Sequence, residues 1–225
     1  MPTTYTMKEF YRRHLPHWQP LGAVFFITFR LKGSVPYEVI EELQEEKNRE
    51  KIETGKLPLG RRGKQNYLDE DIYFGRLDNF LDQTQFGPRW LSQSEIAQIV
   101  KEALIYRNEN VFDLYAFCIM SNHVHVVFEP LERKSDYQSD LQTQSNVLPL
   151  HKIMQSLKRY TARKANIALG REGAFWQGES YDHVIRDNDE FLRIIHYVME
   201  NPVKAGLVSQ WDQWQWTYCK PDLIS

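Results

Sequence analysis

The chain has 225 residues, 42% of them hydrophobic and 26% charged, with a net charge of -2. That composition predicts a globular domain with a sizeable core, and a charge so near zero supplies no global basic field for a nucleic-acid partner. Its two cysteines build no disulfide framework or zinc knuckle, its start has no apolar signal segment, and its longest early apolar run is too short to span a membrane, so a reduced, cytoplasmic protein with no membrane association is expected.

Residues 22–31, GAVFFITFRL, are aromatic and β-branched between two glycines and predict a strand. Residues 35–51 read as a helix with a solvated Glu/Lys face. Residues 54–71, with glycines, a proline and Arg61, Arg62 and Lys64, read as a loop or extended insertion, and 72–90 is ambiguous. Ser92, with Glu95 three residues on, predicts a capped helix to about Asn108. Two strands follow, 111–120 and 123–129, and Ser121-Asn122 between them is a tight-turn signal for a hairpin.

Residues 134–146 are polar and read as a mobile loop. A helix over 150–168 is marked by Ile153, Met154, Leu157 and Tyr160. A short strand over 181–186 precedes a helix over 189–200, capped by Asn188 and ended by Asn201-Pro202. The aromatic tail, residues 211–218, is read as packing onto the core rather than stacking on bases.

This order predicts an α+β, ferredoxin-like split β-α-β fold: an antiparallel sheet with helices on one side. One domain over 1–225 is expected, with an inserted segment at about 33–90 after the first strand.

The stretch MSNHVHVVFEP raises the functional question. Strand alternation puts His123, His125 and Val127 on one side. Two imidazoles so placed can grip a metal ion, or be two ordinary histidines. In the last helix Phe191, Ile194, Ile195 and Val198 form an apolar face, with Tyr197 off it.

His123-Val124-His125 after FCIMSN, together with FWQGESYDHVIRDNDEFLRIIHYVMENPVKAGLV, resembles the single-tyrosine HUH transposases, which include insertion-sequence transposases and REP-associated tyrosine transposases. The resemblance covers most of the chain from Val111 onward, plus the first strand. It implies a single-stranded DNA endonuclease and strand transferase acting on hairpin, REP-like DNA through a 5′-phosphotyrosine at Tyr197. It also implies a Mg²⁺ or Mn²⁺ ion on His123 and His125, and a monomer or homodimer. A third ligand is implied one turn beyond the tyrosine, at Asn201, which reads equally well as a helix-terminal residue before a proline. His183 and His196 read as structural, and Asp182 as a possible support for a metal ligand.

Residues 150–171 carry basic residues and no acidic one, so Lys158, Arg159, Arg163 and Lys164, joined by Arg186, are the candidate DNA contacts; the bland reading is a solvated helix face. The alternative from another class is a non-catalytic nucleic-acid-binding protein on the same fold.

Overall fold

The computed structural model describes residues 11–13, 15–17, 22–83, 86–132 and 147–224. Two three-residue strands, β1 (Tyr11–Arg13) and β2 (Leu15–His17), pair with each other. The central sheet comprises β3 (Phe25–Arg30), β4 (Phe112–Ile119), β5 (His123–Pro130), β6 (Tyr181–Val184) and β7 (Thr217–Cys219). Their spatial order is β6-β3-β5-β4-β7, and every pairing is antiparallel. The helices are α1 (Tyr37–Lys56), α2 (Leu59–Gln83), α3 (Ser94–Arg107), α4 (Leu150–Ala168) and α5 (Asn188–Lys204). With β5 between β3 and β4, and β6 returning to the free edge of β3, the expected split β-α-β arrangement is present.

Each sheet face is one parity of the strand sequence. Phe25, Ile27 and Phe29 of β3, with Val124, Val126 and Phe128 of β5, share a core with α3 and α4. Ile96, Val100 and Leu104 face them from α3, and Ile153, Met154, Leu157 and Ala165 from α4. Thr161, which accepts the Trp176 indole N–H at 2.9 Å, lies on α4's buried face, while Tyr160 is half exposed. The opposite face is covered as well: α5 lays Ile195 and Val198, and α2 lays Phe74, over Phe26, Ala116, Cys118 and Val127. Ala116 and Cys118 are small, which lets α5 come close over β4. Burial pushes the Cys118 thiol up to about 12, so it remains a small core residue.

The segment at 54–71 is helical, not a loop. The chain turns at Leu57-Pro58, and α1 and α2 form an antiparallel hairpin with its own apolar cluster of Val35, Leu43, Leu77 and Leu81. Gly60 and Gly63 meet no neighbour that a Cβ would strike, so they are only weak helix formers, each costing about 1 kcal/mol against alanine. Packing and the buried Thr54–Asp69 hydrogen bond (2.7 Å) outweigh that cost. A further strand, β7, pairs with the edge of β4, Trp216 is buried, and the Trp214 indole donates to the Ile119 carbonyl at 3.1 Å. The aromatic tail therefore packs onto the core. Residues 134–146 lie outside the described residues. Among the described residues no helix is long and apolar enough to cross a membrane.

Helix ends differ from the sequence reading. The Ser92 hydroxyl donates to the Arg89 carbonyl at 2.7 Å and closes a short turn, so α3 starts at Ser94 without a side-chain cap. Asp187, not Asn188, caps α5, accepting the Glu190 amide at 2.8 Å. α5 also runs through Pro202 to Lys204. Proline there forfeits a single backbone bond in the final turn, where the penalty is smaller than in mid-helix. Asp187→Ala should lower unfolding free energy by about 0.5–2 kcal/mol, whereas Asn188→Ala should leave it nearly unchanged, as measured by urea denaturation.

Candidate active site

The register places His123 opposite Arg30 and His125 opposite Thr28 on β3. Both histidines are fully buried on the sheet face that α5 and α2 cover. Their Nε2 atoms lie 2.9 Å apart. The outer nitrogens are held: His125 Nδ1 is 2.7 Å from Thr28 Oγ1, and His123 Nδ1 is 2.7 Å from Asn122 Oδ1. The Asn122 amide donates its N–H to the Leu81 carbonyl at 3.0 Å, so its oxygen is the acceptor facing His123. That makes His123 Nδ1 the protonated nitrogen and leaves a lone pair on Nε2. Burial pushes His123 down to about 3; burial, then His123 and Lys204, holds His125 well below the usual histidine range. Both imidazoles are therefore neutral at physiological pH.

Two carboxylates from α2 meet this pair. Asp78 and Asp82, four residues apart, project from one side of the helix. Asp78 Oδ1 lies 3.3 Å from His125 Nε2 and 3.9 Å from His123 Nε2, and Asp82 Oδ1 lies 3.6 Å from His123 Nε2. Burial, then Asp82, raises Asp78 well above the usual carboxylate range, against the pull of Lys204. Burial raises Asp82 to about 6, opposed by Lys204 and by the Asn201 amide. The 3.3 Å contact of His125 with Asp78 is thus no ion pair while the site is without a cation, because burial drives both groups towards neutrality. Asn201 is fully buried, and its amide reaches Asp82 Oδ2 at 3.5 Å. Asp78 Oδ1, Asp82 Oδ1 and Asn201 Oδ1 are buried and have no hydrogen-bond donor. Orphaned acceptors beside the His123 lone pair and the His125 imidazole form a mixed nitrogen and oxygen set suited to a divalent cation. Asp78, His123 and His125 alone place one ligand atom each within 4.8 Å of one another.

Tyr197 stands beside this cluster. Its ring is 5.6 Å from the His125 ring and packs on Phe26 and Phe74 at 6.0 and 6.3 Å. It is therefore half-buried at the flank of α5's apolar face, not off it, because Ile194, Tyr197 and Asn201 form one stripe three and four residues apart. The Lys204 ammonium lies over the Tyr197 ring, 4.3 Å from its centre. An open cavity of about 380 Å³ is lined by Tyr197, Asp78, Phe26, Phe74, Tyr181 and His183, among others. His183 pairs with Phe26 in register, so it faces this cavity, where it contacts Glu190 at 3.0 Å. Asp182 pairs with Ile27 on the other face, away from His123 and His125, which removes it as their support. His196 is exposed.

Tyr197, His123, His125 and Asn201 thus converge, and Arg186 lies near the same cavity through its amide, which donates to Glu190 at 2.7 Å. The structure does not bring the α4 residues to that place, because α4 covers the opposite sheet face. Arg159, Arg163 and Lys164 are exposed there. Lys158 is committed to the protein itself: its ammonium donates to the Gln177 carbonyl (2.6 Å), the Gly178 carbonyl (3.0 Å) and Ser180 Oγ (3.1 Å). Burial, then Arg30, pulls it down to about 8 against Glu179. Sequence reasoning missed Asp78 and Asp82. Their D-x-x-x-D spacing is the one signal, and it speaks only once the segment is known to be helical.

No family model matches the chain. A Haemophilus influenzae protein of unassigned function is 32% identical over 152 residues, 61% of this chain and 83% of that protein. A second Haemophilus influenzae protein, named for the REP-associated tyrosine transposases, is 25% identical over 109 residues, 47% of this chain and 58% of that protein. The REP-associated tyrosine transposase of Escherichia coli K12 is 24% identical over 118 residues, 52% of this chain and 61% of that protein. The match thus spans under two thirds of either named relative. A solved structure of a REP-associated tyrosine transposase bound to a REP hairpin superposes with a TM-score of 0.47 at 17% identity, covering 92% of this chain and 80% of that one.

The raised Asp82 sets a pH dependence. Its folded value of about 6 lies above the ordinary 3.8, so ionisation destabilises the metal-free fold above pH 6, and the penalty is gone below about 3.8. Metal-free Asp82→Asn should therefore be more stable than the parent at pH 7.5, by on the order of 2 kcal/mol. The gap should close as pH falls through 6 towards 4, read by thermal unfolding in chelator.

Proposed function

We propose a function from one premise: the chain belongs to the family of REP-associated tyrosine transposases, a branch of the single-tyrosine HUH enzymes. On this reading it is a metal-dependent enzyme that cuts and rejoins single-stranded DNA at hairpin-forming, REP-like sequences. The observation that carries it is the convergence of Tyr197 with His123, His125, Asp78 and Asn201 beside one open cavity. The chain acts as one domain in the cytoplasm, with α1–α2 as the inserted part. Tyr197 rests against His125 of its own chain, which supports a monomer as the active unit.

His123, His125, Asp78 and Asn201 would hold the ion, Mn²⁺ or Mg²⁺. Imidazole nitrogens favour Mn²⁺, and the oxygens suit either. When bound, such an ion polarises a non-bridging phosphate oxygen and offsets charge in the transition state. The chain's own residues do the rest. The Tyr197 phenol loses its proton and its oxygen attacks phosphorus. The bond to the 3′ oxygen breaks, that oxygen takes up a proton, and a 5′-phosphotyrosine remains. A second 3′-hydroxyl reverses the step with no outside energy source, because one phosphodiester replaces another. Phe26 and Phe74 fix the tyrosine ring and the rigid α5 fixes its distance to Asn201, which limits misalignment of the attacking oxygen. Lys204 places a positive charge over the tyrosine ring.

A covalent-adduct assay tests this. Labelled single-stranded hairpin DNA from the protein's own locus, with Mn²⁺, should give a shifted band on a denaturing gel. Tyr197→Phe should abolish it, and His123→Ala should slow its formation about 10²–10³-fold, equivalent to several kcal/mol of lost transition-state stabilisation. Tight DNA binding without any band would favour a non-catalytic binding protein.

Arg159, Arg163, Lys164 and Arg186 are proposed to contact DNA phosphates. Replacing each of them by Gln should reduce the salt dependence of hairpin binding by about one counterion, measured by titration at several salt concentrations. Lys158, in contrast, secures the segment that leads into β6. Lys158→Met should lower stability by about 1–3 kcal/mol, because three acceptors lose a charged donor.

A further inference from the structure

We propose that the metal ion is also the fastening that holds the α1–α2 hairpin against the sheet, with Asp78 and Asp82 as its anionic ligands; this rests on the reading of His123 and His125 as a metal site. Among the described residues, the hairpin's apolar hold on the sheet centres on Phe74, which stacks 4.2 Å from Tyr181 and meets Phe26 edge-on at 5.3 Å. Its apolar residues close on each other, with Val35 and Leu43 against Leu77 and Leu81, and within α2 Phe74 is the buried side chain that joins the sheet's own cluster. Among the described residues, side-chain hydrogen bonds across the seam include Asn122 to the Leu81 carbonyl at 3.0 Å and Asn201 to Asp82 at 3.5 Å.

At the centre of that seam the hairpin presents two carboxyl groups to the two imidazole Nε2 atoms, at 3.3 and 3.6 Å. The Asn201 oxygen, fully buried and without a donor, lies in the same place. With the carboxyls ionised and both Nε2 atoms unprotonated, each of these groups offers an electron pair, and they then oppose docking of the hairpin until a cation lies between them. The ion converts that opposition into attraction, and its binding energy becomes docking energy for α2. Asp82 thus joins Asp78 as a ligand contributed by a part of the chain outside the β-α-β core. The consequence reaches the DNA cavity, because α2 supplies Phe74, Gly75, Asp78 and Asn79 to its wall beside Tyr197. Loading the ion builds that wall, and losing it loosens the wall.

Hydrogen exchange by mass spectrometry on the full chain, in Mn²⁺ and in chelator, tests the fastening alongside Mn²⁺ titration by electron paramagnetic resonance. Mn²⁺ should slow exchange across residues 59–83 at least about tenfold and leave α4 unchanged. The Asp78→Asn, Asp82→Asn double variant, which keeps side-chain shape, should bind Mn²⁺ at least about tenfold more weakly and lose the protection of α2. Unchanged α4 exchange in the variant serves as the folding control. If the wild type binds Mn²⁺ through His123 yet α2 exchange ignores the ion, the fastening is wrong while the metal site stands. Equal Mn²⁺ affinity in the double variant overturns it too. If the wild type binds no Mn²⁺, the metal site and the fastening fall together.

Discussion

Two imidazole nitrogens held 2.9 Å apart on a buried sheet face are an arrangement that the surrounding structure has to compensate. Lone pairs at that separation repel unless a proton or a cation lies between them. The neighbours are disposed accordingly. Thr28 interrupts the apolar run of β3 where His125 needs a partner for its outer nitrogen. Asn122 sits in the hairpin turn, where a solvated residue would normally suffice, yet it is buried and holds both His123 and the α2 backbone. Ala116 and Cys118 leave room for α5, and α5 brings Tyr197 and Asn201 down beside the histidines. One local requirement thus bears on side chains of three strands, the hairpin turn and α5.

The parts of the fold that could be read from sequence are those whose signal is local. β3 is an unbroken aromatic and β-branched run, the β4–β5 hairpin has a turn between two apolar stretches, and α4 has a clean apolar stripe that fixed both its ends. What escaped depends on distant partners. α2 contains glycines and a solvated face, and it is helical because Leu77 and Leu81 find Val35 and Leu43. β7 has three residues and exists through the edge of β4. Asp187 and Asn188 are both good caps in adjacent positions, and only the geometry of Glu190 decides between them. The site divides in the same way. His123, His125, Tyr197 and Asn201 lie in two short motifs, whereas Asp78 and Asp82 acquire meaning only when their helix is known and docked.

The basic residues show the limit of counting charges along a helix. Lys158 belongs to the same run as Arg159 and Arg163, yet three acceptors around its ammonium make it part of the architecture. Its neighbours one and five residues on point outward from the helix layer on the far side of the sheet. On the proposed reading, the β6 edge, which Arg186 follows, is the sheet edge beside the cavity and offers DNA a route between this layer and the cavity. A hairpin held by its duplex at one place and cut in its single-stranded flank at another fits such a separation.

Charge balance decides how the cavity can receive that flank. Asp78 and Asp82 carry two negative charges when ionised, and Lys204 lies close enough to oppose the rise in both their proton affinities. With both carboxyls ionised and no cation, two negative charges outweigh the Lys204 ammonium and disfavour a phosphate. On the proposed reading, a divalent ion with the two carboxylates and the Lys204 ammonium leaves a net single positive charge, which would attract one backbone phosphate beside Tyr197. Lys204 reaches this position because α5 continues past Pro202 for one more partial turn. A helix that stopped at Asn201, as the proline alone would suggest, would leave the tyrosine ring without its cation and the carboxylates without their counter-charge. The helix's tolerance of Pro202 is thus tied to the electrostatics of the site.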